Sequence, residues 1–345
     1  MTLYDPPVSA ITRRKDDHLR AAADGAALHR DAAGLRAWRL RHRALPGRDL
    51  ADVSLITTLL GRELGAPLLI SCMTGGTDRA RLVNDRLAAV AASHGLAMGL
   101  GSGRALLADP ELLPTYRTAD RPPLLLANLG AVQLRLGLGP EDAERLVDLL
   151  DADALVLHLN PVQEAVQPEG DTQFAGLTDA IAAVVQRLAP RPVMIKEVGF
   201  GLGPEDVAEL LEAGVAAIDV AGAGGTNWAL VEGMRDPRAK AVAAAFADWG
   251  WPTADTLREA VALAAPHGVP VIASGGVSDG VEAAIALALG ATAAGMARPF
   301  LLAALEGEAE VAALAESVIA QLAVATWAAG VARPADLGPV HLDRR

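Results

Sequence analysis

The 345-residue sequence predicts an α/β fold, a (βα)8 TIM barrel with an N-terminal extension, a long insertion after strand six and a C-terminal helix. Three observations predict it. Eight short apolar runs recur along the chain, most of them ending in Gly, Ser, Asn or a charged residue. Short runs that are apolar on both faces are the pattern of buried parallel strands. Between most of them lie helix-like stretches such as residues 139–152, 203–214 and 279–290, several of which open with Pro or an acid and close with Gly. The runs start mostly about 20–40 residues apart, the length of a βα unit. Eight such units in succession suit a closed barrel better than an open doubly wound sheet.

The runs are Pro67–Met73, Leu96–Ser102, Pro123–Gly130, Ala154–Asn160, Pro192–Gly199, Ala216–Gly222, Val269–Gly276 and Thr292–Phe300. They imply a single domain over 1–345, with the barrel at 67–300. Residues 1–66 read as a charged, partly helical preface, and 301–345 as a helical tail. The stretch 225–266, holding Trp249 and Trp251, reads as an insertion at the C-terminal face, where those rings either line an apolar pocket or anchor the loop.

Composition sets limits. The chain is 52% hydrophobic, has one Cys and carries a formal net charge of −12. A lone Cys excludes an intrachain disulfide framework and a Cys-built zinc site. The acidic balance argues against nucleic acid or an anionic membrane as the main partner. The first 20 residues hold no apolar signal-like run, and no ~18 consecutive apolar residues occur, so no transmembrane helix and a cytoplasmic location are expected.

Polar residues at the C-terminal ends of barrel strands are functional candidates by geometry. They are Met73, Thr74 and Gly75 after strand one, Ser102, Gly103 and Arg104 after strand two, and Asn128 on strand three. Strand four supplies His158 and Asn160, followed by Gln163 and Glu164; strand five carries Lys196, and Thr226 follows strand six. Glycine-rich turns after strands seven and eight, with Gly275, Gly276, Val277 and Ser278, then Ala297 and Arg298, match the phosphate cradle of this fold. Lys196 reads either as half of an ion pair with Glu197 or as a cation facing the N1–C2 side of a reduced flavin. Arg13, Arg14 and Lys15 read as a solvated patch or as an anion-binding segment folded over the mouth. Glu164 could be a surface carboxylate or an Mg2+ ligand. Cys72 reads as a small core residue rather than a nucleophile.

RRKDDHL, MTGGT, GLGSGR, LLLANLG, HLNPVQEAVQPEGDT, MIKEVGFG, GAGGTNWALVE, WGWPT, SGGVSDG and GMARPFL occur in this order. This series resembles the FMN-dependent, Mg2+-requiring type 2 isopentenyl-diphosphate isomerases over about residues 11–305. The resemblance implies an enzyme of isoprenoid synthesis in which reduced FMN acts as acid and base and NADPH or NADH only reduces it. By the same resemblance Arg14, Lys15, Ser102, Gly103 and Arg104 hold the prenyl diphosphate beside His18, while His158, Asn160 and Gln163 line the substrate site. His158 and Lys196 take the catalytic roles, and Glu164 binds Mg2+. FMN lies over Met73, Thr74 and Gly75, with Ser102, Asn128 and Lys196 around its ring. Thr226, Gly275, Gly276, Val277, Ser278, Ala297 and Arg298 hold its phosphate end. A homo-oligomer, tetramer or octamer, is also implied.

Three positions depart from the family pattern: Ala221 where Ser is frequent, Asn227 where Ser follows GGT, and Ser278 where Arg is common. They leave room for a paralogue acting on another prenyl diphosphate. Two rival functions are an FMN-dependent oxidoreductase of hydroxy-acid type, with His158 as its base, and a non-catalytic flavin-binding barrel.

Overall fold

A computed structural model describes residues 8–29 and 33–345, without the side chains of 8–14 and 16. Eight parallel strands close into a barrel: β1 Leu68–Ile70, β2 Ala97–Gly99, β3 Leu124–Gly130, β4 Ala154–Leu159, β5 Val193–Glu197, β6 Ala217–Asp219, β7 Val271–Ala273 and β8 Ala293–Met296. All eight lie inside the predicted apolar runs. Alternation sorts their side chains: Leu69 joins Leu124, Leu126, Val156, Met194 and Ile272 in the barrel interior, while Leu68 and Ile70 face the helices.

Thirteen helices are described: α1 Val8–Ala23, α2 Asp78–His94, α3 Arg104–Ala108, α4 Pro140–Leu150, α5 Pro161–Val166, α6 Leu177–Leu188 and α7 Pro204–Glu212, then α8 Trp228–Arg235, α9 Lys240–Ala245, α10 Thr253–Ala264, α11 Gly280–Ala288, α12 Arg298–Glu306 and α13 Glu308–Ala328. Their ends follow local chemistry. Thr77 accepts the Ala80 N–H to cap α2, and Asp279 accepts the Glu282 N–H to cap α11.

The preface is partly helical and also carries short strands. Thr57–Leu59 and Arg62–Leu64 form a hairpin whose Leu60–Gly61 turn takes φ of +48° and +77°, the twist a two-residue turn needs. Leu59 and Leu64, each 1% exposed, belong to the interior cluster and close the barrel floor. Each such buried leucine stabilises the fold by about 1.5–3 kcal/mol. Trp38–Leu40 pairs antiparallel with Leu342–Arg344, so the tail is not wholly helical either. These three-residue strands lie in charged, turn-rich sequence and form no apolar run of their own.

The C-terminal helix α13 also departs from expectation. Among the described residues it is the one helix long and apolar enough to cross a membrane by length and composition, with mean hydropathy 1.6. Glu308, Glu310 and Glu316 interrupt its apolar run in the sequence, which hid this property. Val311, Ala315, Val318 and Leu322 bury one side of it in the main core.

Candidate active site

A cavity of about 380 Å³ opens at the C-terminal ends of the strands and is roofed by α1. Of the site residues that the resemblance assigns, all line it except Gly103 and Arg14. The Arg14 side chain lies outside the described residues. Gly103 caps α3 from beneath; its N–H donates to Asn128 O at 2.7 Å, and a Cβ there would lie 2.3 Å from Leu146. Its absence of a side chain serves helix packing.

Strand register puts Gly130, His158, Lys196 and Asp219 side by side across β3 to β6. A Cβ on Gly130 would sit 3.2 Å from His158 Nε2, so glycine makes room for the ring. Burial and the nearby Lys196 charge lower the His158 pKa to about 4. The Cys72 thiol is half-buried at the cavity wall rather than in the core; pushed up to about 11 by burial, it stays protonated.

Lys196 does not pair with Glu197. Consecutive strand residues point to opposite faces, and Glu197 Oε2 accepts the N–H groups of Val198, Gly199 and Phe200 at 2.5–2.6 Å. Lys196 Nζ donates to Glu197 O at 2.6 Å, and its counter-charge is Asp219, 4.0 Å away on β6. Asp219 is fully buried, accepts from Ser274 Oγ at 2.6 Å and from Ala221 N–H at 3.2 Å, and burial raises its pKa.

On the other side of the mouth, Lys15 donates from α1 to Ser102 O at 2.9 Å and to the Tyr116 hydroxyl at 2.5 Å. Tyr116 donates to Ser102 O as well, and its ring passes under Gly75, where a Cβ would lie 2.1 Å from Cε1. Gly75 therefore admits Tyr116, a constraint different from the expected close approach of a flat ligand. Helix α1 thus lies over the mouth with Lys15; the side chain of Arg13, like that of Arg14, lies outside the described residues.

Asn160 Nδ2 donates to Gln163 Oε1 at 3.1 Å and Glu164 Oε1 at 2.9 Å; Glu164 Oε2 accepts the Asp171 N–H at 2.8 Å. Asp171 also receives Arg104 at 2.8 Å and Gln133 at 3.0 Å. Gln163 Nε2 donates to Glu232 Oε1 at 2.8 Å, and His18 Nε2 lies 2.8 Å from the same oxygen. Burial alone would raise the Glu232 carboxyl, but His18, Gln163 and Arg235 hold it down to about 2.

The phosphate-type turns press on each other. Gly275 and Gly276 have φ of +101° and +77°, and Cβ atoms there would reach the Gly222 and Gly224 carbonyls at 2.0 and 2.4 Å. Ser278 borders the cavity, yet its N–H and hydroxyl both donate to Glu282 Oε2, at 2.9 and 2.8 Å. Arg298 also faces the cavity, with Nε and one terminal nitrogen donating to Ala22 O and Ala23 O at the end of α1. Asn227 does not line the cavity; it caps α8 and tethers Phe246 O at 2.9 Å. Ala221 lines it at φ +38°, an uncommon conformation for a residue with a Cβ. Trp249 and Trp251, 57% and 47% exposed, lie outside the lining, and Trp249 meets Phe246 edge-on at 5.7 Å; Trp228 faces the cavity instead.

Tyr116, Gln133, Asp171, Asp219, Trp228 and Glu232 were missed as site-building residues. Asp171, Trp228 and Glu232 lie inside the quoted motifs, which is the signal that could have found them. Asp219 lies in an apolar strand run, where a lone buried carboxylate is itself a signal.

A cavity at this face, ringed by glycine turns and a strand-end lysine, goes together with a sequence match to a class of flavin barrels. The family described as FMN-dependent dehydrogenase matches residues 140–344. Sequence relatives narrow this further. The chain is 48% identical over 342 residues to an isopentenyl-diphosphate delta-isomerase of Synechococcus sp., covering 94% of this chain and 97% of that one. It is 47% identical to the enzyme of the same name from Stutzerimonas stutzeri, covering 96% and 97%. The chain belongs to the isopentenyl-diphosphate delta-isomerase family, of the FMN-dependent type. In fold it is similar to a solved flavocytochrome b2 with sulfite bound, at TM-score 0.65, 18% identity and coverage of 98% of this chain and 88% of that one. An oxidised active mutant of (S)-mandelate dehydrogenase gives TM-score 0.66 at 17% identity, covering 98% and 99%.

Proposed function

We propose that the protein interconverts isopentenyl diphosphate and dimethylallyl diphosphate at the barrel mouth, using reduced FMN and Mg2+. The observation that carries this is one cavity bounded by both a Lys196 edge and a second cationic side built from Lys15 and Arg104. Ser71 Oγ, buried without a hydrogen-bond partner among the described residues, opens onto the same cavity and suits a polar ring edge. The cavity also lies within the size range of small-ligand and cofactor sites.

Bound reduced FMN would supply the proton donor and acceptor for moving the double bond. The chain's own groups fit a binding and orienting role. His158 is neutral near pH 7 and the Cys72 thiol stays protonated, so neither is a ready acid for an unactivated alkene. Lys196, held by Asp219, would place positive charge beside the ring; Thr74, Asn128 and Gly75 would border it. The amides of the Gly275–Val277 turn and Ala297, with the Arg298 charge, would receive its phosphate.

Lys15 and Arg104, with Arg14 as a further candidate, would hold the diphosphate. His18 would lie beside them, and Asn160 and Gln163 would line the substrate site. No cluster of three or more His, Cys, Asp or Glu able to hold a metal occurs among the described residues. Glu164 alone suits Mg2+, which commonly takes one or two carboxylates and completes its shell with water and substrate phosphates. Isomerisation has no net redox change, so NADPH or NADH would be needed only to reduce the flavin.

A hydroxy-acid dehydrogenase is the alternative that the matching family suggests, but an imidazole titrating near 4 is a weak base for that chemistry. The test is incubation of labelled isopentenyl diphosphate with the protein, Mg2+ and reduced FMN. Conversion to dimethylallyl diphosphate that stops with oxidised FMN or after chelation is expected. Unchanged substrate refutes the proposal, and stoichiometric flavin bleaching by a 2-hydroxy acid favours the dehydrogenase.

A further inference from the structure

The segment after α1 runs directly behind the glycine turns that follow β6 and β7. Cβ atoms built on Gly224 and Gly276 would lie 2.5 and 3.0 Å from the Ala33 Cβ. Ala33 O accepts the Ala254 N–H at 2.9 Å, and Gly34 turns the chain at φ +75°. Leu35 is thereby buried, and Arg36 is delivered to the first turn of α11. There Arg36 Nε donates to Glu282 Oε1 at 2.6 Å, and another of its nitrogens lies 3.9 Å from Asp279 Oδ2. The opposite oxygen of Glu282 accepts both donors of Ser278.

A carboxylate therefore stands one hydrogen bond behind the cavity wall, in the turn expected to receive a phosphate. Its side chain is 8% exposed, so solvent screens it poorly. Asp279 and Glu282 together already occupy the positive end of α11, which weakens the anion preference of a helix N-terminus. A phosphate held by this turn would face Glu282 through Ser278, and the repulsion needs an opposing charge.

We propose that Arg36 is a positioning residue for the cofactor phosphate: it neutralises Glu282, so that Glu282 can hold Ser278 without repelling a phosphate dianion. The proposal rests on the FMN reading above, and it ties the segment behind the barrel turns to cofactor affinity. Arg36 touches neither the cavity nor the reacting atoms; it acts through Glu282 and Ser278.

The test is titration of the flavin-free protein with FMN and, separately, with riboflavin, which lacks the phosphate; binding is read from flavin fluorescence. Arg36→Gln is expected to weaken FMN binding roughly 5–20-fold at low salt, less at high salt, with riboflavin binding unchanged. Arg36→Lys keeps the charge and stays within about twofold of wild type. Adding Glu282→Gln to Arg36→Gln restores FMN affinity, because the amide oxygen still accepts from Ser278 and the charge is gone. Unchanged FMN affinity in Arg36→Gln overturns the proposal, as does an equal loss of FMN and riboflavin or a double variant that stays weak. Failure of the wild-type protein to bind either flavin overturns the FMN reading itself.

Discussion

His158 Nδ1 lies 2.7 Å from Asn128 Oδ1, across the β3–β4 pair. An amide oxygen only accepts, so the ring proton sits on Nδ1 and Nε2 is the bare nitrogen. The neighbouring lysine and the burial that lower its pKa to about 4 fix His158 as a neutral, oriented imidazole.

This has a sign for stability. The folded pKa lies below the ordinary imidazole value of 6.5, so the stabilisation is fully present above 6.5 and is lost as pH falls through 4. The full effect amounts to about 3 kcal/mol. An NMR titration of the ring is expected to place its midpoint near 4, with urea stability declining over the same interval. A midpoint near 6.5 would contradict the burial argument.

Lys196 and Asp219 give a second prediction. Asp219→Asn keeps an acceptor for Ser274 but leaves the Lys196 ammonium without its carboxylate in a buried site. Breaking a buried pair from one side costs about 3–5 kcal/mol. The double variant Lys196→Met, Asp219→Asn is expected to recover much of that loss in urea denaturation. A single Asp219→Asn variant as stable as wild type would dismiss the pairing.

Arg298 gives a third. Its two bonds to the last carbonyls of α1 hold the roof of the cavity to the start of α12. Arg298→Ala is expected to speed limited proteolysis within α1 about tenfold, since cleavage follows local opening. Arg298→Lys, able to reach fewer carbonyls, falls between. Equal cleavage rates in all three proteins would show that the roof is held by other contacts.

The barrel was legible because its strands are contiguous and apolar. The eight runs could be read one after another, and strand ends such as Asn128, His158 and Lys196 followed directly. Partners between strands were not legible. Of the two sequence readings of Lys196, the pair with its neighbour Glu197 is ruled out by register and side-chain alternation, which give it Asp219. Ser278 was read as a phosphate ligand because the turn after β7 is glycine-rich; only the fold shows Glu282 taking its donors. The hairpin carrying Leu59 and Leu64 was illegible for a different reason. Three-residue strands offer too little periodicity to distinguish them from a charged linker.

That hairpin has a consequence for traffic. With Leu59 and Leu64 stoppering the floor, the barrel opens, among the described residues, at its other end. Whatever seats deepest must arrive first and depart last, and a shallower guest covers it. Order of arrival and departure is thus partly decided by two leucines far from any reacting atom.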